Sequence, residues 1–430
     1  MTLANRFGPH LSIGIQICAL ALGLLCNLVL ARLLSADGYG VYSIVYTLVS
    51  MIGMPLEVGL AMVMVREIAS LHAGQDWGRM RGAIRASTFI SLAFSAVWLS
   101  SCAIFLILAD TETSHYAAAA LWAAFLLPIA GLAAVRGSIL RGLGHPLWGQ
   151  AMGAVLKPGF FLLLMAAMAI KLWTDGAGVK FSPNLALALH SAAAAIALGI
   201  GMWLMARLIP ADVKSAEPTY EWRRWLANIP GYSLMAAAFA ANQAIATLAL
   251  AFFDQPQAVG VYRVAELGAS LVVMPLGAIA IHYSADIARL ISQGNTTELR
   301  AKLRHAARVA IAAACPVALI FLIFGRELIK AAFGESYSGA SLPLAILSLA
   351  QIVNTLTGLA GIVMSMGGHH REALAAVLIA IGIQLALTLW LVPSHSVTGA
   401  AISSAIATLV WCQILRLRVR KHYLVSTLPI

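Results

Sequence analysis

Long apolar runs alternate with short polar connections along the whole chain. The runs fall at about 11–34, 43–65, 86–109, 117–135, 151–172 and 185–208, then at about 229–252, 262–284, 306–324, 341–364, 374–392 and 398–415. Each holds about 18–24 residues, enough for an α-helix rising 1.5 Å per residue to cross roughly 30 Å of hydrocarbon. The pattern predicts an all-α polytopic membrane protein with twelve transmembrane helices. The first run follows Arg6, as the core of a signal peptide would. It is longer than the roughly 7–15 residues of such a core, and we read it as the first span.

Composition narrows the class further. Of 430 residues, 61% are hydrophobic and 10% charged, against about 45–50% and 25% in soluble domains. The outer connections, 35–42, 110–116, 173–184, 253–261, 325–340 and 393–397, are too short to hold a catalytic domain. The inner connections 66–85, 209–228 and 285–305 are longer. In the last of these, Ile287, Leu290 and Ile291 repeat at helical spacing beside basic residues, which predicts a short amphipathic helix at the interface.

The formal charge is +11, from 28 basic and 17 acidic residues. Sorting Lys and Arg onto alternate sides of the spans puts 21 on the side of the N-terminus and six, Lys180 among them, on the other; Lys157 is left inside a span. The positive-inside rule then places both termini in the cytoplasm. The bias accounts for most of the net charge, so no nucleic-acid partner is expected. Five cysteines lie in apolar runs without a C-x-x-C, which fits neither a disulfide framework nor a zinc site.

An internal repeat is visible at an offset of 220. Gly40-Val41-Tyr42 returns as Gly260-Val261-Tyr262, Ser50 as Ser270, and Met54-Pro55-Leu56 as Met274-Pro275-Leu276, seven identities in seventeen ungapped positions. Each copy leads from an outer connection through an even-numbered span into a basic inner loop. Six helices restore the starting side, so this is a parallel repeat about an axis along the membrane normal. The expected organisation is a six-helix lobe at 1–208, a cytoplasmic linker at 209–228 and a second lobe at 229–430, two pseudo-symmetric halves around a central cavity.

No P-loop, H-E-x-x-H or G-x-S-x-G occurs. His369-His370 is the only close histidine pair, and adjacent residues in a turn do not share a helix face, so no metal site is expected. Ionisable groups inside spans are the informative ones, because each costs about 2.5–3.5 kcal/mol at a helix centre on insertion scales. Lys157, followed by Pro158, lies in the fifth span. Glu57, two residues after Pro55, lies well inside the second and is too short to snorkel far. Glu266 sits beside Arg263 at i−3 and reads either as a functional group or as half of a local helix pair. Arg32, at the outer end of the first span, either snorkels or meets a ligand. Asn242 and Gln243 are expected to bond neighbouring helices, and His190 and His282 to lie at the interface.

Three stretches resemble a known family. Ala31-Arg32-Leu33-Leu34-Ser35-Ala36-Asp37-Gly38-Tyr39-Gly40-Val41-Tyr42 is similar to the loop after the first helix of Wzx-type polysaccharide flippases. Leu56-Glu57-Val58-Gly59-Leu60 with Val65-Arg66-Glu67-Ile68-Ala69 resembles their second helix and its inner end. Arg136, Leu140-Arg141-Gly142-Leu143-Gly144 and Lys157-Pro158 resemble their helix 4–5 region. The resemblance implies the multidrug/oligosaccharidyl-lipid/polysaccharide (MOP) exporter fold. It also implies movement of an undecaprenyl-diphosphate-linked oligosaccharide across the bacterial inner membrane. The family's acidic position in helix 2 is often Asp where this chain has Glu57, and its basic position in helix 5 is often Arg where it has Lys157. Drug-exporting MATE proteins and MurJ-type lipid II flippases share the fold, the latter with two additional helices for which no apolar run remains.

The reading is therefore a flippase working by alternating access. Lys157, Arg136, Arg141 and Arg32 are expected at the diphosphate, and Glu57 and Glu266 at a coupling proton or cation. No cofactor is expected, with proton or sodium coupling left open. The expected partners are the lipid-linked oligosaccharide and membrane lipids, followed by a polysaccharide polymerase and chain-length machinery. The alternatives are a secondary multidrug exporter, whose cationic substrates favour acidic walls where a diphosphate favours basic ones, and a membrane-embedded glycosyltransferase or polymerase.

Overall fold

A computed structural model describes residues 3–108, 114–174, 181–423 and 425. Glu112, Ala177 and Lys180 lie outside the described residues. The first half contains α1 (Leu3–Leu33), α2 (Ala36–Met54), a π-helical turn (Pro55–Leu60), α3 (Ala61–Ala73), α4 (Trp77–Leu108), α5 (Ser114–Gly142), α6 (Pro146–Ala151), a second π-helical turn (Met152–Leu156), α7 (Lys157–Thr174), α8 (Pro183–Leu208) and the short α9 (Ala211–Ser215). The second half contains α10 (Trp222–Phe253), α11 (Pro256–Ser292), α12 (Thr296–Phe333), a 3-10 turn (Glu335–Ala340), α13 (Ser341–Thr357), α14 (Ala360–Met366) and α15 (His370–Tyr423).

Among the described residues, eleven stretches are long and apolar enough to cross a membrane. The last of them contains two crossings. Its helix α15 runs for 54 residues and is interrupted at Ser396, where φ is 45° and ψ −125°. At 1.5 Å per residue an unbroken helix of that length would be about 80 Å long, far more than one bilayer. The break falls inside the connection 393–397, and the count among the described residues is then twelve, as the apolar runs predict.

The connections are tighter than the hydropathy suggests. Residues 35–42 are not a loop: α2 starts at Ala36, and Ser35 caps it by accepting the Gly38 N–H at 3.1 Å. Only Asp254 and Gln255 separate α10 from α11. On the other side, 285–305 is not an interfacial helix. α11 and α12 extend past their apolar segments and pack as a hairpin, with Ile287 and Leu290 fully buried against Leu299, Leu303, Val363 and Val419. Lys302 hydrogen-bonds Asp286 there and holds its carboxyl below the usual carboxylate range.

Small residues set the helix spacing, as expected where lipid removes the hydrophobic drive between helices. Ala186, His190, Ala193, Ala194, Ala197 and Gly201 make one buried stripe of α8, while Ile196, Met202 and Trp203 are exposed to the surroundings. All five cysteines are free thiols.

Two compact units emerge: Met1–Leu34 with Val45–Ala237, and Ser35–Ile44 with Ala238–Ile430. The connector expected at 209–228 belongs to the first. Its Thr219 N–H bonds the Gly78 carbonyl of α4 at 3.0 Å, Arg81 donates to the Ala216 carbonyl at 2.6 Å, and Trp225 is fully buried. In the second unit the repeated tripeptides pack on each other. A Cβ on Gly40 would lie 1.7 Å from the Pro256 carbonyl oxygen, and one on Gly260 would lie 2.1 Å from that of Ala36.

Candidate functional site

Prolines shape the site before charges occupy it. Pro55 and Pro158 each lack an N–H and crowd the carbonyl of the preceding turn. The backbone widens next to both. Ala61 N–H reaches back five residues to the Leu56 carbonyl, and Lys157 N–H reaches back five to that of Met152. Glu57 sits on the first widened turn and Lys157 immediately follows the second. π-Helical turns of this kind occur often at functional positions.

These turns face a cavity of about 390 Å³ inside the first unit, lined by Gln16 of α1, Glu57, Arg141 of α5, Gln150 of α6, Lys157 and small residues including Ala130, Ala134, Gly153 and Ala194. The alanines and glycines leave the space; the charged residues give it character. Two cations face one carboxylate, so the lining carries a net positive charge. Glu57 folds back along its helix, with Oε1 2.9 Å from where a Gly53 side chain would begin. The Lys157 ammonium acts electrostatically on Glu57, on Cys26 and on His190. Cys26 Sγ in turn donates to the Pro158 carbonyl at 3.4 Å.

The structure thus brings together Lys157, Arg141 and Glu57 of the six residues singled out in the sequence. The other three lie elsewhere. Arg136 is 7% exposed and clamps neighbouring helices, donating from Nη2 to Thr88 Oγ1 at 2.8 Å, with Nη1 3.9 Å from Met205 Sδ. Arg136 and Arg141 are five residues apart, about 140° around a helix, so they leave α5 on different faces, and only Arg141 lines the cavity. Arg32 is exposed near the end of α1. Glu266 belongs to the second unit and is paired with Arg263 at 2.6 Å, the local pair that i, i+3 spacing allows.

Three further placements bear on the site. His190 is not interfacial: it is 6% exposed and stacked between Tyr46 and Phe161, with ring centroids 5.3 and 4.6 Å away. Asn242 donates to Gln384 Oε1 at 2.7 Å, the interhelical bond expected of it. Gln16 and Gln150 were not anticipated, although an amide inside an apolar span is a signal that could have found Gln16.

Comparison with known proteins adds the family. The family model described as "Polysaccharide biosynthesis protein" matches residues 29–342. No curated protein sequence matches the chain. Among solved structures, an inward-facing multidrug resistance MATE family transporter of the MOP superfamily is similar at TM-score 0.71 and 16% identity, over 94% of each chain. The lipid II flippase MurJ, in an inward closed conformation, is similar at TM-score 0.73 and 14% identity, over 96% of this chain and 89% of that one. A MOP superfamily transporter from Pyrococcus furiosus, described by the reversed polarity of its binding pocket, is similar at TM-score 0.64 and 15% identity, over 96% and 95%. At these identities the likenesses establish the fold alone. With a sequence match over more than half its length, the chain belongs to the polysaccharide biosynthesis protein family, and it is a multi-pass membrane protein whose fold is the one seen in MATE transporters and the MurJ flippase.

Proposed function

We propose that the protein flips an undecaprenyl-diphosphate-linked oligosaccharide from the cytoplasmic to the outer leaflet of a bacterial inner membrane, with both termini in the cytoplasm. The observation that carries this reading is the cavity in which Lys157 and Arg141 outnumber Glu57. A diphosphate and its sugars cannot enter about 30 Å of hydrocarbon unaided, whereas the polyprenyl tail can stay in lipid. Arg141 offers a planar fork for phosphate oxygens and Lys157 a compact point charge. Gln16 and Gln150 offer amide donors and acceptors of the kind that hydroxyl-rich sugars pair with. Glu57 is the proposed coupling group, because a carboxylate beside an incoming dianion is relieved by binding a proton or sodium ion. Arg32, Arg136 and Glu266 have no place in this cavity and take no direct part. The sequence family and a lipid II flippase among the structural likenesses support the substrate class. The oligosaccharide would then pass to a polymerase and chain-length machinery.

The test is flipping of a lipid-diphosphate sugar in proteoliposomes, normalised to folded protein. A hydrogen bond to a charged group is worth about 1.5–3 kcal/mol, so Lys157→Ala should slow flipping roughly 10- to 100-fold, while Lys157→Arg keeps substantial activity. Full activity for Lys157→Ala at normal abundance would overturn the diphosphate role and favour export of small amphipathic cations.

A further inference from the structure

The second unit holds a cluster that the cavity does not use. α15 begins next to His369, carries Glu372 in its first turn, and returns after the Ser396 break to place His422 in its last turn. There His422 Nε2 lies 2.8 Å from Glu372 Oε1, and His369 Nδ1 lies 3.9 Å from the same oxygen. One ligating atom from each of the three residues lies within 4.8 Å of the other two. The two imidazoles are stacked, with centroids 3.9 Å apart and planes 22° from parallel. His369 and Glu372 are half-buried and His422 is exposed, so an ion can reach them.

We propose that His369, Glu372 and His422 form a binding site for a transition-metal dication of the zinc type. The donor set is two imidazole nitrogens and one carboxylate oxygen, which suits zinc and its neighbours and not magnesium or calcium. Ligands about 2.1 Å from a tetrahedral ion stand roughly 3.4 Å from one another, and the observed 2.8 and 3.9 Å separations bracket that edge. Protons alone account for only half of the arrangement: Glu372 Oε1 accepts a bond from His422, but 3.9 Å is too long for a second from His369. Binding requires that His422 Nε2 lose its proton and that the stacked rings turn about their side-chain torsions until both lone pairs meet one point. A fourth position would be left to water. The bound ion would tie the start of the eleventh crossing to the end of the twelfth.

One charge opposes the ion. Arg418 Nη1 lies 3.2 Å from Glu372 Oε2 and competes for the carboxylate. Removing Arg418 should therefore strengthen metal binding, whereas removing a ligand should weaken it. The full-length protein, purified in detergent without a polyhistidine tag, is dialysed against zinc or magnesium, and bound metal is measured by elemental analysis beside a thermal-shift titration. Wild type should hold one zinc more than His422→Gln, and magnesium should not replace it. Glu372→Gln should weaken binding at least tenfold. His422→Cys, which restores a zinc ligand, should retain both the bound metal and the zinc-dependent rise in melting temperature. Arg418→Gln should bind several-fold more tightly than wild type. Equal zinc content in wild type and His422→Gln would overturn the site. So would no zinc-dependent stabilisation of wild type and His422→Cys, a check that holds even if His422→Gln folds poorly. Weaker binding by Arg418→Gln would overturn the assigned geometry.

Discussion

Lys157 and Glu57 stand out because nothing in an apolar span explains a charge, and each follows or precedes a proline within two residues. Both signals were legible without coordinates. What the residues face was not. Arg136 and Arg141 look equivalent in a list of cations near an inner loop, yet one is locked to Thr88 and the other lines the cavity. Five residues turn the helix by about 140°, which puts the two on different faces, and packing decides which face meets the cavity. Glu57 carries a prediction of its own. Glu57→Gln removes a like charge from the path of a dianion, so substrate binding should hold or tighten. It also removes the group that would exchange an ion, so the response of flipping to an imposed proton or sodium gradient should fall at least fivefold. Flipping in proteoliposomes with and without each gradient measures both. A wild-type rate and an undiminished gradient response would remove Glu57 from the coupling role.

At the level of elements, apolar run length locates every span, but helix ends answer to packing. α2 starts at Ala36 because Ser35 caps it and because Gly40 lets α11 approach. A side chain at Gly40 would strike the backbone of Pro256, which cannot rotate away. Gly40→Val should therefore sharply reduce the yield of monodisperse protein and lower its melting temperature, since overpacking costs about 1–3 kcal/mol or more. Gly277→Ala in α11 is the matched control. Open space surrounds that position, and replacing a helical glycine gains about 0.5–1 kcal/mol. Thermal denaturation of both variants in detergent distinguishes a packing requirement from a general intolerance of substitution; equal melting temperatures would refute the close approach. The hairpin at 285–305 teaches the same lesson. Ile287 and Leu290 have the periodicity of an interfacial helix, and burial against Val363 and Val419 uses that apolar face instead.

At the level of the whole molecule, the charge bias predicts which ends are cytoplasmic. A reporter fused after Lys214 should be active only in the cytoplasm, and one after Ser394 only outside. Fusions after Glu112 and Ala177 should agree with Ser394. A cytoplasmic reading at Ala177 would overturn the topology. Twelve crossings and their order are readable from residue type and spacing because crossing a bilayer is a local requirement: about 20 apolar residues satisfy it wherever they occur in the chain. The cavity is of another kind. Glu57, Arg141 and Lys157 share it only because three helices converge with alanine and glycine between them. His369 meets His422 only because α15 breaks at Ser396 and comes back across 52 intervening residues. Sites assembled from distant segments depend on rotation and approach of packed helices, and no local count of apolar residues carries that information.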